Sequence, residues 1–201
     1  MLRIGITGGL GSGKTTVARF FGDRGAQVFD ADSEAKLILL RHEPARQAVI
    51  EAFGEAVLNE AGEIDFERLA AYAFATPERQ RRLNDIIHPE VILAAEREMA
   101  AASRRGVAMF VLDAPLLFEA RLEQYLDFTL AVVADEELRV KRARERGTLS
   151  EADIRKRARL QLSDEERAAR ADFVILNNGT LDELHEQLQA IYDDLGRSLQ
   201  S

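Results

Sequence analysis

Eight consecutive residues, Gly8-Gly9-Leu10-Gly11-Ser12-Gly13-Lys14-Thr15, combine a pliable backbone, an ammonium and a hydroxyl in the order needed to hold a phosphate chain. They follow the apolar stretch Leu2–Thr7 and open the helix-like run Thr16–Phe21. Glycines let successive N–H groups turn toward one centre, and the helix that follows adds its positive dipole end. The predicted nucleotide contacts are therefore Gly9, Leu10, Gly11, Ser12, Gly13, Lys14, Thr15 and Thr16. Lys14 is expected to reach the β- and γ-phosphates of a nucleoside triphosphate, and the Thr15 hydroxyl to ligate Mg²⁺.

Phosphoryl transfer also needs carboxylates and positive charge outside the loop. Asp30-Ala31-Asp32 follows a second strand-like run. Ligands of open α/β sheets bind beyond the carboxyl ends of the strands, so both acids should face the crevice. Continued strand pleating would aim them the same way. Asp32 is assigned as general base on an acceptor hydroxyl, and Asp30 as its support or as the cap of the next helix. Asp113 ends the run Ala108–Leu112, the place of an acid that holds Mg²⁺, although a turn aspartate ahead of Pro115 has the same signature.

Arg142 and Arg146 stand four residues apart, on one helix face, and could both meet a phosphate. Arg146, just before a Gly147-Thr148 break, is the first choice and Arg142 the second. His88-Pro89 reads by itself as a helix end or a turn. Asn177-Asn178-Gly179 is a turn by composition, placed so that Asn178 and Gly179 could touch a purine.

These residues must be positioned by alternating β-like and helical runs, the pattern of a parallel sheet with crossover helices. Candidate strands are Leu2–Thr7, Ala26–Asp30, Ala108–Asp113, Phe128–Ala134 and Phe173–Leu176, mostly apolar throughout, as for strands covered on both faces. More than seventy residues separate the second and third strands. They read as helices 31–40, 43–53, 66–75, 77–87 and 90–104, with Asp65 an N-cap and Pro77 a first helical residue. The expected division is a nucleotide-binding core of residues 1–32 and 106–201, and a helical acceptor-binding insert of 33–105. Later helices carry the capping pairs Ser150/Asp153, Ser163/Glu166 and Thr180/Glu183. Residues 139–170 hold eleven basic and six acidic residues and form the predicted lid.

The 201 residues suit one domain with an insert, and 46% apolar with 31% charged residues is an ordinary globular balance. A net charge of −8 argues against sequence-independent nucleic-acid binding. The absence of cysteine excludes disulfides and thiol catalysis, and suits a reducing cytoplasm. No signal peptide is expected ahead of the first strand, and no apolar run approaches the ~20 residues of a membrane helix. The expected assembly is a monomer or small homo-oligomer.

The chain resembles dephospho-CoA kinases in Thr7–Ala18, Asp30-Ala31-Asp32, Leu83–Pro89, Asp113–Glu119, Lys141-Arg142 with Arg146, Gln161 and Asn177-Asn178-Gly179. The resemblance spans residues 4 to 179, and its Asp-Ala-Asp, His-Pro and Pro-Leu-Leu-Phe-Glu elements are far more specific than the loop. It implies a P-loop kinase-type five-stranded parallel sheet flanked by helices, with a helical substrate-binding insert and a lid. It also implies transfer of the γ-phosphate of ATP-Mg²⁺ to the ribose 3′-hydroxyl of dephospho-CoA, with Asp32 as base. By the same resemblance, His88, Pro115, Leu116 and Gln161 lie on the acceptor side. Two departures occur in the insert: Asp65-Phe66 stands where the family usually has Asp-Arg, with Arg68 following, and Leu40–Pro44 lacks the usual Pro-Gly.

The alternatives are a P-loop kinase for another small acceptor, such as a nucleoside monophosphate, and a GTP-dependent switch. The latter normally reads guanine through Asn-Lys-x-Asp, and the only Asn pair here is followed by glycine.

Overall fold

A computed structural model describes residues 1–147 and 150–198 of the chain. It divides into two compact units, Met1–Phe29 with Met99–Ser201, and Asp30–Glu98.

The first unit is built on a parallel sheet of five strands in the order β2-β3-β1-β4-β5. They are β1 (Leu2–Thr7), β2 (Gln27–Asp30), β3 (Met109–Asp113), β4 (Phe128–Val133) and β5 (Phe173–Leu176). The chain leaves central β1 between β3 on one side and β4 on the other, the switch point at which open sheets bind ligands. Register places Ile6 beside both Asp113 and Leu130, so Asp113 stands where the loop begins.

Helices α1 (Lys14–Gly22) and α9 (Leu181–Ser198) contribute Val17, Phe20, Phe21, Leu184, Leu188 and Leu195 to a core shared with Ile4, Ile6, Val111, Leu130 and Ile175. Every side chain of β3 is buried, which explains its unbroken apolar reading.

The sheet is pinned at its amino edge by an exposed clamp. Arg3 donates from its backbone N–H (2.8 Å) and Nε (3.1 Å) to Asp127 Oδ2, and from Nη2 to Oδ1 (2.5 Å). The guanidinium bonds and the backbone N–H hold the Asp127 carboxyl below the usual aspartate range. The sign follows from linkage: the clamp stabilises the fold above an ordinary aspartate pKa of about 4, and that contribution is lost as pH falls through the lowered value. Asp127→Asn is therefore expected to lower the urea midpoint at pH 7 and to match the wild type near pH 2. An equal deficit at both pH values would refute the charge-based account.

The second unit is helical: α2 (Ala31–Arg41), α3 (Glu43–Phe53), α4 (Phe66–Ala73) and most of α5 (Pro77–Arg104). Asp65 caps α4 by accepting from the N–H groups of Glu67 and Arg68, each at 3.0 Å, and the Arg68 side chain folds back onto it at 3.3 Å. The two helices expected at 77–87 and 90–104 are one. Pro89 lies inside α5, although proline removes a helical hydrogen bond and disfavours helix in the residue before it. Ile87, Val91 and Ala95 repeat at four-residue spacing and are all buried, while Pro89 is exposed. Burial of that stripe outweighs the local rule.

The segment predicted as a lid falls within α6 (Glu136–Glu145), α7 (Glu151–Ala158) and α8 (Asp164–Arg170) and their connections. Ser163 and Glu166 form the reciprocal capping box, as do Thr180 and Glu183. At Ser150 the hydroxyl accepts from Asp153 N–H (3.1 Å), but the Asp153 carboxylate bonds that hydroxyl rather than the backbone, so the box is half formed. Thr148 of the anticipated break lies outside the described residues; Gly147 adopts φ 87. No described helix is long and apolar enough to cross a membrane.

Candidate active site

The loop between β1 and α1 has the backbone its glycines predict. Gly11 and Gly13 take φ 81 and 101. A Cβ on Gly13 would also strike the Asn177 side chain, so both conformation and space demand glycine there. Ser12 N–H closes a turn on Gly9 O (3.0 Å), and Gly13 O receives Thr16 and Val17 N–H, which starts α1. Ser12 is fully buried, and its hydroxyl oxygen has no hydrogen-bond partner.

Lys14 projects from the first residue of α1 and donates to Asp113 Oδ1, with 14% and 7% of the two side chains exposed. The ammonium and the carboxylate are thus joined at the carboxyl end of neighbouring strands. Thr15 is exposed on the same turn. Among the described residues no three His, Cys, Asp or Glu side chains cluster as a metal site. Thr15 and Asp113 place a hydroxyl and a carboxylate, hard oxygens of the kind Mg²⁺ takes, beside the loop.

The Asn177-Asn178-Gly179 turn is used by the protein itself. Asn177 is buried, donates through Nδ2 to Ser12 O (2.7 Å) and accepts Arg142 Nη1 at its backbone O (2.8 Å). Asn178 accepts from Asp135 N–H (2.8 Å) and donates Nδ2 to the Asp135 carboxylate (2.9 Å), which occupies its amide at the entry to α6. Gly179 packs against the Glu183 side chain. Arg142 thereby braces the turn behind the loop, whereas Arg146 is exposed at the C-cap of α6.

Two arginines that spacing did not single out lie nearer the loop. Arg139 and Arg167 both approach Gly9, and Arg167 is 1% exposed. Gln161 accepts from Arg167 Nη2 at 3.2 Å, and Glu119 accepts from Leu162 N–H at 2.9 Å. Pro115 accepts the Thr7 hydroxyl at its carbonyl (3.1 Å), and Leu116 is half-buried. One signal in the sequence was available for Arg167: it directly follows a strong capping box and stands at i,i+3 from Asp164.

In the second unit, the extended geometry ends at Asp30, so strand pleating does not reach Asp32 as anticipated. Asp30 is the N-cap of α2, accepting Asp32 N–H (3.0 Å), Ser33 N–H (3.1 Å) and the Ser33 hydroxyl (2.8 Å). Asp32 is exposed in the first turn of that helix. His88 is half-buried inside α5, not at a helix end or turn.

Sheet order, loop and the Lys14–Asp113 pair define the class of protein: an α/β protein with the P-loop kinase fold. The dephospho-CoA kinase family model matches residues 2–183. A dephospho-CoA kinase from Salinibacter ruber is 42% identical over 192 residues, 96% of each chain. The crystal structure of TT1252 from Thermus thermophilus superposes with a TM-score of 0.78 at 37% identity, covering 96% of this chain and 97% of that one. A dephospho-CoA kinase from Campylobacter jejuni shares the fold at 23% identity, TM-score 0.67, over 98% of both chains. The chain belongs to the dephospho-CoA kinase family, whose members are ATP-dependent kinases with a hydroxyl acceptor.

Proposed function

We propose that the protein transfers the γ-phosphoryl group of ATP to the ribose 3′-hydroxyl of dephospho-CoA, giving coenzyme A and ADP. The observation that carries this reading is an intact phosphate loop, its Lys14 fixed by Asp113, in a chain matched to this family over residues 2–183. In the reaction the 3′-oxygen forms a bond to the γ-phosphorus as the bond from that phosphorus to the β,γ-bridging oxygen breaks. The hydroxyl proton passes to the Asp32 carboxylate, and ADP leaves.

Lys14 and the loop amides hold the β- and γ-phosphates, supplying fixed positive charge where negative charge spreads in the transition state. Thr15 and Asp113 would hold Mg²⁺, which when bound neutralises phosphate charge. Arg142 and Arg146 serve the transferring phosphate in this reading, and the bond from Arg142 to Asn177 supports a bracing share for it. His88, Pro115, Leu116 and Gln161 belong to the acceptor side, with Gln161 also anchoring Arg167. Asn178 and Gly179 meet the adenine through backbone groups, since the Asn178 amide is engaged by Asp135. The enzyme works in the cytoplasm, with ATP and dephospho-CoA as its partners.

An assay of ATP consumption across dephospho-CoA, nucleoside monophosphates and small polyols tests the acceptor. Turnover with dephospho-CoA at least a hundredfold above the others is expected. Phosphorylation of a nucleoside monophosphate, with dephospho-CoA untouched, would reverse the assignment.

A further inference from the structure

Two guanidiniums beside the loop have donors that the protein leaves idle. Arg167 is among the largest fully buried side chains; it donates Nη1 to Asp164 Oδ1 (3.0 Å) and Nη2 to Gln161 Oε1 (3.2 Å). Its buried Nε has no hydrogen-bond partner. Arg139, in the first turn of α6, keeps 14% of its side chain exposed, and its Nε stands 3.5 Å from Asp164 Oδ2 as an ion pair without a hydrogen bond. One carboxylate thus stands between a buried guanidinium, Arg167, and a half-buried one, Arg139. Burial pushes the Arg167 guanidinium down from its ordinary pKa, and Arg139 adds to this, while Glu119 and Asp164 oppose it. Both groups converge on Gly9, where an added Cβ would strike Arg139 Nη1 and come within 3.5 Å of Arg167 Nη1.

Their attachment to the loop is built in. Leu10 packs against Val140, Ala143 and Ile154, and the Arg139 backbone lies against Gly11. Arg139 is therefore held at the loop by the start of α6, whereas Arg142 is tied to Asn177 and Arg146 is exposed at the helix end. Buried N–H donors normally find acceptors, and a planar guanidinium matches phosphate oxygens two at a time.

We propose that Arg139 and Arg167 are resident phosphate-binding residues, a pair of guanidiniums that clamps the nucleotide's polyphosphate against Gly9. The proposal rests on the ATP-transfer reading and adds to it a positive site beside Gly9. The shared Asp164 orients both groups, and Gln161 acts through Arg167 as a positioning residue.

The test titrates full-length protein with ATP and with inorganic tripolyphosphate by calorimetry, alongside steady-state assays with dephospho-CoA. Arg139→Gln is expected to weaken binding of both anions at least tenfold, with KM for dephospho-CoA unchanged and the melting temperature of the ligand-free protein preserved. Arg139→Lys should recover only part of the loss, because it restores charge without the planar fork. Arg167→Lys should follow the same pattern; if it melts too low to assay, Arg139→Gln alone decides. Unchanged tripolyphosphate affinity in Arg139→Gln, or a lowered melting temperature as its sole effect, would overturn the clamp. A wild type that binds tripolyphosphate but leaves dephospho-CoA unphosphorylated would remove the acceptor reading and leave the clamp standing.

Discussion

Lys14→Ala is expected to lower kcat by about 10²–10³-fold and to destabilise the protein by ~3 kcal/mol. The two losses have separate causes. The ammonium supplies fixed charge to the transferring phosphate, so its removal strikes the chemical step. It also neutralises Asp113, whose side chain is only 7% exposed, so truncation strips a buried carboxylate of its ammonium counter-charge. The double variant Lys14→Met/Asp113→Asn should recover most of the melting temperature and none of the activity. Kinetics and thermal melts on the single and double variants check this. Full stability with reduced rate in Lys14→Ala would mean that the pair is not held in solution; an unchanged rate would remove Lys14 from the mechanism.

Asp32→Asn is expected to cost about 10²–10⁴ in kcat while ATP affinity stays near normal. Amide replaces carboxylate with little change of shape, so a loss confined to turnover would mark proton acceptance rather than packing. Asp30→Asn provides the contrast. Asp30 holds two backbone N–H groups and the Ser33 hydroxyl at the start of α2, and asparagine is an equally good cap, so rate and stability should both change little. Asp30→Ala should cost about 1 kcal/mol of stability, measured by urea denaturation. If Asp30→Asn lost turnover and Asp32→Asn did not, the roles of the two acids would be exchanged.

The architecture was largely legible in the residues because the central strands of the sheet are buried on both faces. The unbroken run Met109–Asp113 has few readings other than a covered parallel strand, whereas Phe173–Leu176, at the sheet edge, is just as apolar yet leaves Val174 and Leu176 exposed. Helix starts were legible where a side chain caps them, at Asp65, Ser163 and Thr180. What escaped depends on contacts remote in sequence. The proline rule breaks a helix at His88-Pro89, yet the buried stripe of Ile87, Val91 and Ala95 carries α5 through. Composition marks Asn177-Asn178 as a turn but cannot show that one amide serves Ser12 and the other Asp135.

The arginines make the same point more sharply. In a segment with eleven basic residues, four-residue spacing favoured Arg142 and Arg146. Which guanidinium lies against Gly9 depends on how α6 and α8 meet the loop, and that geometry selects Arg139 and Arg167. The Lys14–Asp113 pair likewise depends on strand register, which the sequence alone does not show: Asp113 pairs with Ile6, one residue short of the strand end that feeds the loop.

The most direct test of the account is a crystal structure with dephospho-CoA and a non-hydrolysable ATP analogue bound together. The ribose 3′-oxygen should lie within about 2.6–3.2 Å of an Asp32 carboxylate oxygen and in line with the γ-phosphorus, whose oxygens meet Lys14. A 3′-oxygen beyond reach of Asp32, or approaching from the side of the leaving group, would contradict it.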